Sequence, residues 1–428
     1  MTNLMFEIGA VWLFAVLNGV PLFAAMSVAS LAFVLLSGLS PLIVPQKMSQ
    51  TMNSFPFVAA PLFIFMGNVM STARITDRIV RFATAVMGSL RGGYAQASIL
   101  SSLIFAGMAG SAVADAAGTG AVEIRAMKRA GYRPETAAAI NASASTVGAI
   151  VPPSMPVVIY GVTSDTSVGR LFLAGIIPGM LMAASLMTMV VIIGKRQGFP
   201  SQRFPGWLEL GRAFRDGFLA MMTPVILLTG MFSGLFTPTE SAAVATTYAL
   251  LLGLVVYRTL RPADIVQILV NTVETVGVVT ALVMAAGALG WCMSISRLPQ
   301  TVAPAMLATI HSPAVFLLLC NVILLLIGCF METIAALLIL IPILVPVAVA
   351  FGVSPVQFGI MMIFNLILGA IHPPIGVVLF VASRIAEISY EKLARAVLPW
   401  LIPLLVVLLM VTLFPPITMF LPTLVMGR

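Results

Sequence analysis

Two apolar runs in this chain carry the same interruption. Residues 148–156 read "GAIVPPSMP" and residues 369–376 read "GAIHPPIG", and each double proline falls inside a stretch otherwise suited to a membrane-spanning helix. Proline lacks a backbone N–H and its ring clashes with the preceding turn, so each pair ends one helix before another starts. Inside hydrocarbon the freed N–H and C=O groups find no water, which restricts such breaks to places where protein or a water-filled cavity supplies partners. The sequence therefore predicts two discontinuous helices that face an internal site.

Composition fixes the solvent. Hydrophobic residues make up 60% of the 428 and charged residues 8%, whereas soluble domains are about a quarter charged. The chain reads as a polytopic membrane protein in a lipid bilayer. Lys47 is the first positive charge, so the N-terminal apolar stretch reads as a retained span rather than a cleaved signal. The net charge of +8 falls mainly in short basic clusters between apolar runs, the pattern that sets topology; nucleic acid is not an expected partner. Cys292, Cys320 and Cys329 have no metal or redox spacing and read as small buried hydrophobes. No glycine stretch is followed by the Lys-Ser or Lys-Thr of a phosphate loop, and His311 and His372 assemble no catalytic triad. Neither an ATPase nor any other enzyme is expected.

Segments long enough to cross about 30 Å of hydrocarbon fall near 4–20, 21–38, 54–73, 135–158 and 173–193, then near 217–235, 238–257, 276–296, 357–382 and 397–422. "NGVP" at 18–21 separates the first two. Two further stretches, 95–127 and 314–349, are each long enough for two short helices joined at membrane depth. Arg91 flanks the first, and Arg125, Lys128, Arg129 and Arg133 follow it, so both of its ends belong on the cytoplasmic side. Between Arg297 and Arg384 the one formally charged residue is Glu332, so the ends of the second stretch face outward. Two hairpins from opposite sides are what an inverted repeat gives. At a fixed offset of 221 (369 minus 148), Gly107 meets Gly328, Gly131 meets Gly352, Pro134 meets Pro355, the double prolines meet, and Pro178 meets Pro399. After a two-residue slip, "GNVMSTARI" (67–75) meets "GWCMSISRL" (290–298). The expected fold is an all-α polytopic membrane protein of two inverted repeats, 1–205 and 206–428. Each repeat holds a re-entrant helical hairpin and a Pro-Pro-broken helix.

Broken helices hold ions and substrate in secondary transporters: N-terminal ends attract anions, and unwound carbonyls coordinate sodium. In "GSAVADAAGTG", Ser111, Asp115 and Thr119 follow at i, i+4 and i+8, one polar stripe on a face of small residues if the arm is helical. An acid within a membrane segment is a functional-site candidate by default, which singles out Asp115 and Glu332. The helix entering the first break, "NASASTVG", offers Asn141, Ser143, Ser145 and Thr146; its counterpart "FNLILG" offers Asn365. The cation candidates are Ser111, Asp115, Thr119, Ser145, Thr146 and Gly148 in the first half, and Gly328, Glu332, Thr333, Asn365 and Gly369 in the second. The substrate candidates are Ser143, Pro152, Pro153, Ser154, His372, Pro373 and Pro374. "TPTE" at 237–240 reads instead as a capping box in which Glu240 secures a helix start.

The ordered set "GSAVADAAGTG", "MKRAGYRPETAAAINASASTVGAIVPPSMPVVIYG", "LFLAGIIPG", "FTPTESAA", "LLILIPILVP" and "LGAIHPPIGVVLF" resembles the large membrane subunit of the tripartite ATP-independent periplasmic (TRAP) transporters, the DctM-like family. The likeness covers essentially the whole chain. It implies a sodium-coupled, elevator-type importer of organic acids in the bacterial inner membrane. It also implies two partners, a small four-helix membrane subunit (DctQ-like) and a periplasmic binding protein (DctP-like) that delivers the carboxylate. "FMETIAA" carries Glu332 where the resemblance leads one to expect an Asp nearby. Sodium ions are expected between each hairpin tip and its facing break, with the carboxylate between the two tips. The hairpin bundle would slide against a scaffold through amphipathic stretches at 75–90 and 263–277. A stand-alone sodium/dicarboxylate symporter would share the architecture and need no binding protein; the ordered motifs argue against it.

Overall fold

A computed structural model describes residues 2–53, 58–105 and 112–427, without the side chains of Leu17, Ala114 and Thr119. The described residues form helices and connections, with no strand among them. The first half begins with α1 (Thr2–Leu17) and α2 (Leu22–Leu36), separated at "NGVP" by Gly19 with φ +86°. A short α3 (Ile43–Met52), α4 (Ala59–Thr72) and the amphipathic α5 (Ile75–Met87) follow. The arms of the first hairpin are α6 (Gly93–Ile104) and α7 (Ala112–Arg129); Gly107 and Ser111, between them, lie outside the described residues. The broken helix is α8 (Pro134–Gly148) and α9 (Met155–Thr163), and α10 (Val168–Gln197) carries Pro178 inside it.

The second half runs through α11 (Trp207–Phe232), α12 (Pro238–Leu251) with a π-helical turn at 252–256, α13 (Pro262–Ile295) and α14 (Leu298–Thr309). Its hairpin is α15 (Pro313–Phe330) and α16 (Thr333–Ala350), its broken helix α17 (Pro355–Gly369) and α18 (Val377–Ala386). The chain continues with α19 (Tyr390–Leu413) and α20 (Pro416–Met426). Among the described residues, six helices are long and apolar enough to cross a membrane.

Local chemistry explains why the halves match. The bounds of α8 and α17 differ by 221 at both ends (355 minus 134, 369 minus 148), and each helix starts with proline after an extended cap residue, Arg133 or Ser354. Proline at the first helical position loses only an N–H the helix cannot use. Arg74 and Arg297 stand before α5 and α14 in the left-handed region, at φ 53° and 56°; Gly131 and Gly352 also have positive φ. The Pro152–Pro153 and Pro373–Pro374 peptides are both cis.

Packing interlocks the halves. The arm α7 lies against α8 and crosses to α18, whereas α16 lies against α17 and crosses to α9. Each hairpin thus touches its own broken helix and the far half of the other. Lys128 adds a polar tie across this contact, donating to the Ala386 carbonyl at 3.1 Å at the end of α18, where cations suit the helix dipole. Opposite this bundle, α13 packs on α2, α3, α4 and α16, and α11 on α5 and α12.

The structure redraws three stretches. Residues 263–277, read as an amphipathic stretch, are the first half of α13 and continuous with the span expected at 276–296. Its 34 residues extend about 51 Å at 1.5 Å per residue, beyond the hydrocarbon thickness, so this polar-faced portion continues the span rather than lying flat. The stretch 397–422 divides into α19 and α20 at Phe414 and Pro415, because the two consecutive prolines, Pro415 and Pro416, cannot continue the helix. Residues of α3 and α14 also form helices between the expected spans.

Candidate functional site

At the first break, α8 is buried from Thr136 to Gly148. Ser145 donates to the Ala142 carbonyl at 2.8 Å and Thr146 to the Ser143 carbonyl at 2.6 Å. Back-bonding spends each hydroxyl proton and leaves oxygen lone pairs as acceptors. The Ser143 hydroxyl is buried without a partner. Ser154 caps α9 by position, but its hydroxyl turns back across the break to the Ala149 carbonyl at 2.5 Å. Asp115, in the first turn of α7, is buried and accepts a hydrogen bond from Ser102 at 3.2 Å. Thr119 belongs to the same helix.

The second break meets its hairpin directly. Gly328 near the end of α15 approaches Gly369 so closely that a Cβ on Gly369 would stand 2.5 Å from the Gly328 carbonyl carbon. Gly376 N–H donates to the Cys329 carbonyl at 3.1 Å. His372 Nδ1 lies 2.5 Å from the Pro373 carbonyl and 3.5 Å from Cys329 Sγ. Gly328, Gly369, His372 and Pro373 are therefore brought together, and Tyr390 fixes the same turn by donating to the Pro374 carbonyl at 2.8 Å. Glu332 takes a different posture from a free acid at a hairpin tip: it caps α16, accepting from Ile334 N–H at 2.8 Å and Ala335 N–H at 3.1 Å. Thr333 opens that helix and is buried. Asn365 donates to the Met361 carbonyl at 2.9 Å and to Asn321 Oδ1 at 2.7 Å, while its own Oδ1 is buried and unpartnered. A buried carbonyl-type oxygen with no donor suits a hard cation.

Two polar networks escaped the sequence reading. Glu123 on α7 is 4% exposed and accepts from Ser98 at 2.5 Å, from Ser101, and from Asn141 Nδ2 at 2.9 Å. This contact occupies the Asn141 amide nitrogen, while its Oδ1 is buried without a partner. The signal was present: extending the 111, 115, 119 spacing one step gives 123, but Arg125 made that end read as a solvated flank. In the second half, Asn321 donates to Thr412 at 2.9 Å and Gln357 to the Thr412 carbonyl at 3.1 Å, tying α15 and α17 to α19.

Between α4, α5 and α13 on one side and α7, α9 and α16 on the other lies an open cavity of about 660 Å³, within the range of small-molecule sites. Asn68, Ser71, Thr76 and Asp77 line the first wall; Val113, Met155 and Ile334, each in the first turn of its helix, line the second. Among the described residues, no three His, Cys, Asp or Glu side chains come together to hold a metal ion. The site offers hydroxyls, amides, backbone carbonyls and helix ends.

Residues 10–417 match the family model described as tripartite ATP-independent periplasmic transporter, DctM component. The chain is 43% identical over 417 residues to the sialic acid TRAP transporter large permease protein SiaM of Vibrio cholerae, covering 97% of this chain and 98% of that one. It is 35% identical to the C4-dicarboxylate TRAP transporter large permease protein DctM of the same organism, covering 96% and 95%. A crystal structure of the Alcanivorax borkumensis YdaH transporter superimposes with a TM-score of 0.63 at 16% identity, covering 87% of each chain; this likeness shows the fold.

Proposed function

We propose, because this chain belongs to the DctM component family of tripartite ATP-independent periplasmic transporters, that it couples sodium entry to the import of organic acids across the bacterial inner membrane. The observation that carries this reading is the pairing of the Gly328–Glu332 hairpin end with the Gly369–Pro374 break, beside the unpartnered Asn365 oxygen. Sodium is a co-substrate held by such acceptors in the second half. In the first half, Asp115, Ser145, Thr146 and backbone near Gly148 supply the corresponding oxygens. The carboxylate of the cargo lies between the tips, near Ser143, Ser154 and His372, held by half-helix N-termini, hydroxyls, amides and the sodium charges or by an Arg at a helix end, since no Lys or Arg lies at mid-segment in the sequence. Residues 1–205 and 206–428 are the two repeats, and their hairpins and broken helices move together as an elevator. A bundle that binds cargo equally well on both faces drives nothing, so coupling requires that partly loaded forms cross poorly.

The named relatives transport sialic acid and C4-dicarboxylates by their titles, which makes carboxylates the cargo class here. A small membrane subunit and a periplasmic binding protein complete the system. The test is uptake of labelled organic acids into liposomes containing this chain and its small subunit, with and without an inward sodium gradient and the binding protein. Uptake that needs both supports the tripartite reading. Uptake with sodium alone makes the chain a stand-alone symporter, and uptake indifferent to sodium removes the coupling.

A further inference from the structure

The cytoplasmic ends of three helices enclose a second, smaller cavity whose lining changes character with depth. We propose that it binds the headgroup of an anionic phospholipid from the cytoplasmic leaflet, with the phosphate held by Arg133, Lys392 and Arg395.

Helices α8, α10 and α19 pack on one another in all three pairs, and between them lies a cavity of about 280 Å³. Arg133 stands just before α8, Gln197 ends α10, and Lys392 and Arg395 fall in the first two turns of α19. Basic flanks put these ends on the cytoplasmic side, with Lys195 and Arg196 in the last turn of α10. Deeper in, the lining turns apolar. On α19 the cavity face continues from Arg395 to Ala396, Pro399 and the buried Trp400, in the three- and four-residue steps of one helix face. From Lys392 to Pro399 that face advances about 10 Å toward the bilayer centre. Ile193 lies one turn inside Gln197 on α10 in the same way. A charged rim over an apolar floor suits an amphiphile better than a free anion. Beside the floor, Ile192 and Leu398 are 46% and 50% exposed, an apolar surface for the acyl chains.

Charge selects the kind of lipid. Three cations and Glu135 line the cavity, a formal balance of three minus one, or +2. None of these four side chains forms an ion pair among the described residues. Charges that set topology need only lie near the membrane, and several at this face are spent within the protein. Arg81 is used on Glu209 and Asp216, Arg78 on the Tyr257 ring, and Lys128 on the Ala386 carbonyl. Those at the cavity instead converge from two helices and stay unneutralised. The repeat supplies an internal control. At the offset of 221 (354 minus 133), Arg133, Lys392 and Arg395 answer to Ser354, Leu171 and Ala174, at the starts of α17 and α10. The same helix arrangement is therefore built without a single cation, so packing does not require the three. Glu135 and Gln197 offer partners for headgroup hydroxyls, as on a glycerol headgroup.

The test is lipid binding to the purified, delipidated permease in detergent micelles, read by native mass spectrometry. The probes are phosphatidylglycerol, phosphatidylethanolamine and inorganic phosphate. Phosphatidylglycerol should bind more tightly than phosphatidylethanolamine, and phosphate should not displace it. Lys392→Gln with Arg395→Gln should weaken phosphatidylglycerol about twentyfold, at roughly fivefold for each basic residue removed near an anionic lipid. Arg203→Gln with Arg215→Gln removes two cytoplasmic charges that do not line the cavity and should change nothing. All four positions are exposed, and gel filtration of both double variants checks the fold. Ala396→Phe fills the floor while every charge remains, and should weaken the lipid as well. Equal binding of the two lipids, or an equal loss in the two double variants, would reduce the cluster to general surface charge and overturn the proposal. Displacement of the lipid by phosphate at comparable concentration would make this a phosphate site instead. No arm involves cargo or sodium, so failure here leaves the transporter reading standing.

Discussion

The two broken helices share their backbone and differ in what supports them. In the first half a single carboxyl, Glu123, gathers Ser98, Ser101 and Asn141, so α6, α7 and α8 meet at one acid. In the second half the same task falls to neutral groups in series: Asn365 to Asn321, and Asn321 to Thr412, linking α17, α15 and α19. In both halves one amide oxygen on the broken helix, Asn141 Oδ1 or Asn365 Oδ1, is buried without a donor. The inverted repeat therefore keeps what sterics dictate and leaves the polar filling free. Proline and glycine fix where the backbone breaks and how closely segments approach. Any set of groups that satisfies the buried donors then serves. A hub concentrates the risk at one side chain, whereas a chain of neutral bonds spreads it.

The largest expected effect is therefore at the hub. Glu123→Ala deprives Ser98 and Asn141 of their acceptor in a buried setting, although Ser101 retains its bond to the Ser98 carbonyl at 2.9 Å. Each buried donor left unpaired costs about 1–3 kcal/mol, so the loss should amount to several kcal/mol. Thermal unfolding of the purified permease, followed by the fraction remaining monodisperse, measures it; an unchanged midpoint would show that the acid is not a hub. The neutral chain should yield less. Asn365→Leu removes its bonds to the Met361 carbonyl and to Asn321 Oδ1 and leaves Asn321 Oδ1 as the one acceptor unpaired, a cost of about 1–3 kcal/mol. A larger loss at Asn365 than at Glu123 would reverse the comparison drawn between the halves.

How much of this was legible from sequence follows the same division. The breaks at Pro152–Pro153 and Pro373–Pro374, the matched bounds of α8 and α17, and the hairpins α6/α7 and α15/α16 could be read because Pro, Gly and apolar length act locally. The capping box at Thr237 and Glu240 was equally legible, with both of its reciprocal bonds formed. Gly328 and Gly369 were expected on either side of a sodium ion; the direct approach of their backbones was not. What could not be read depends on distance in the fold. Glu123 looked like part of a charged flank because Arg125, Lys128 and Arg129 follow it, yet the helix turn carries it inward. Asn321 and Thr412 lie 91 positions apart, and Asp77 faces the cavity only because α5 packs beside α6 and α11. Pair contacts across such separations have no local signature.

The smallest expected effect lies on the surface, where α5 meets α11, and it bounds the comparison by showing how little an exposed pair contributes. Arg81 reaches Glu209 and Asp216 with side chains that are 52%, 39% and 42% exposed. The hydrogen bond from Arg81, aided by its charge, holds the Glu209 carboxyl below the usual carboxylate range. A carboxyl whose folded-state affinity for protons is depressed adds stability at neutral pH, and that contribution disappears as acid protonates it. Arg81→Met should therefore lower the unfolding midpoint slightly at pH 7, with the difference from wild type shrinking as pH falls into and below the usual carboxylate range. High salt should shrink it as well, because exposed pairs are screened. Parallel melts of both proteins across pH and salt test the sign. A difference that grows on acidification, or that resists salt, would mean Arg81 acts through packing against α11 rather than through its charge.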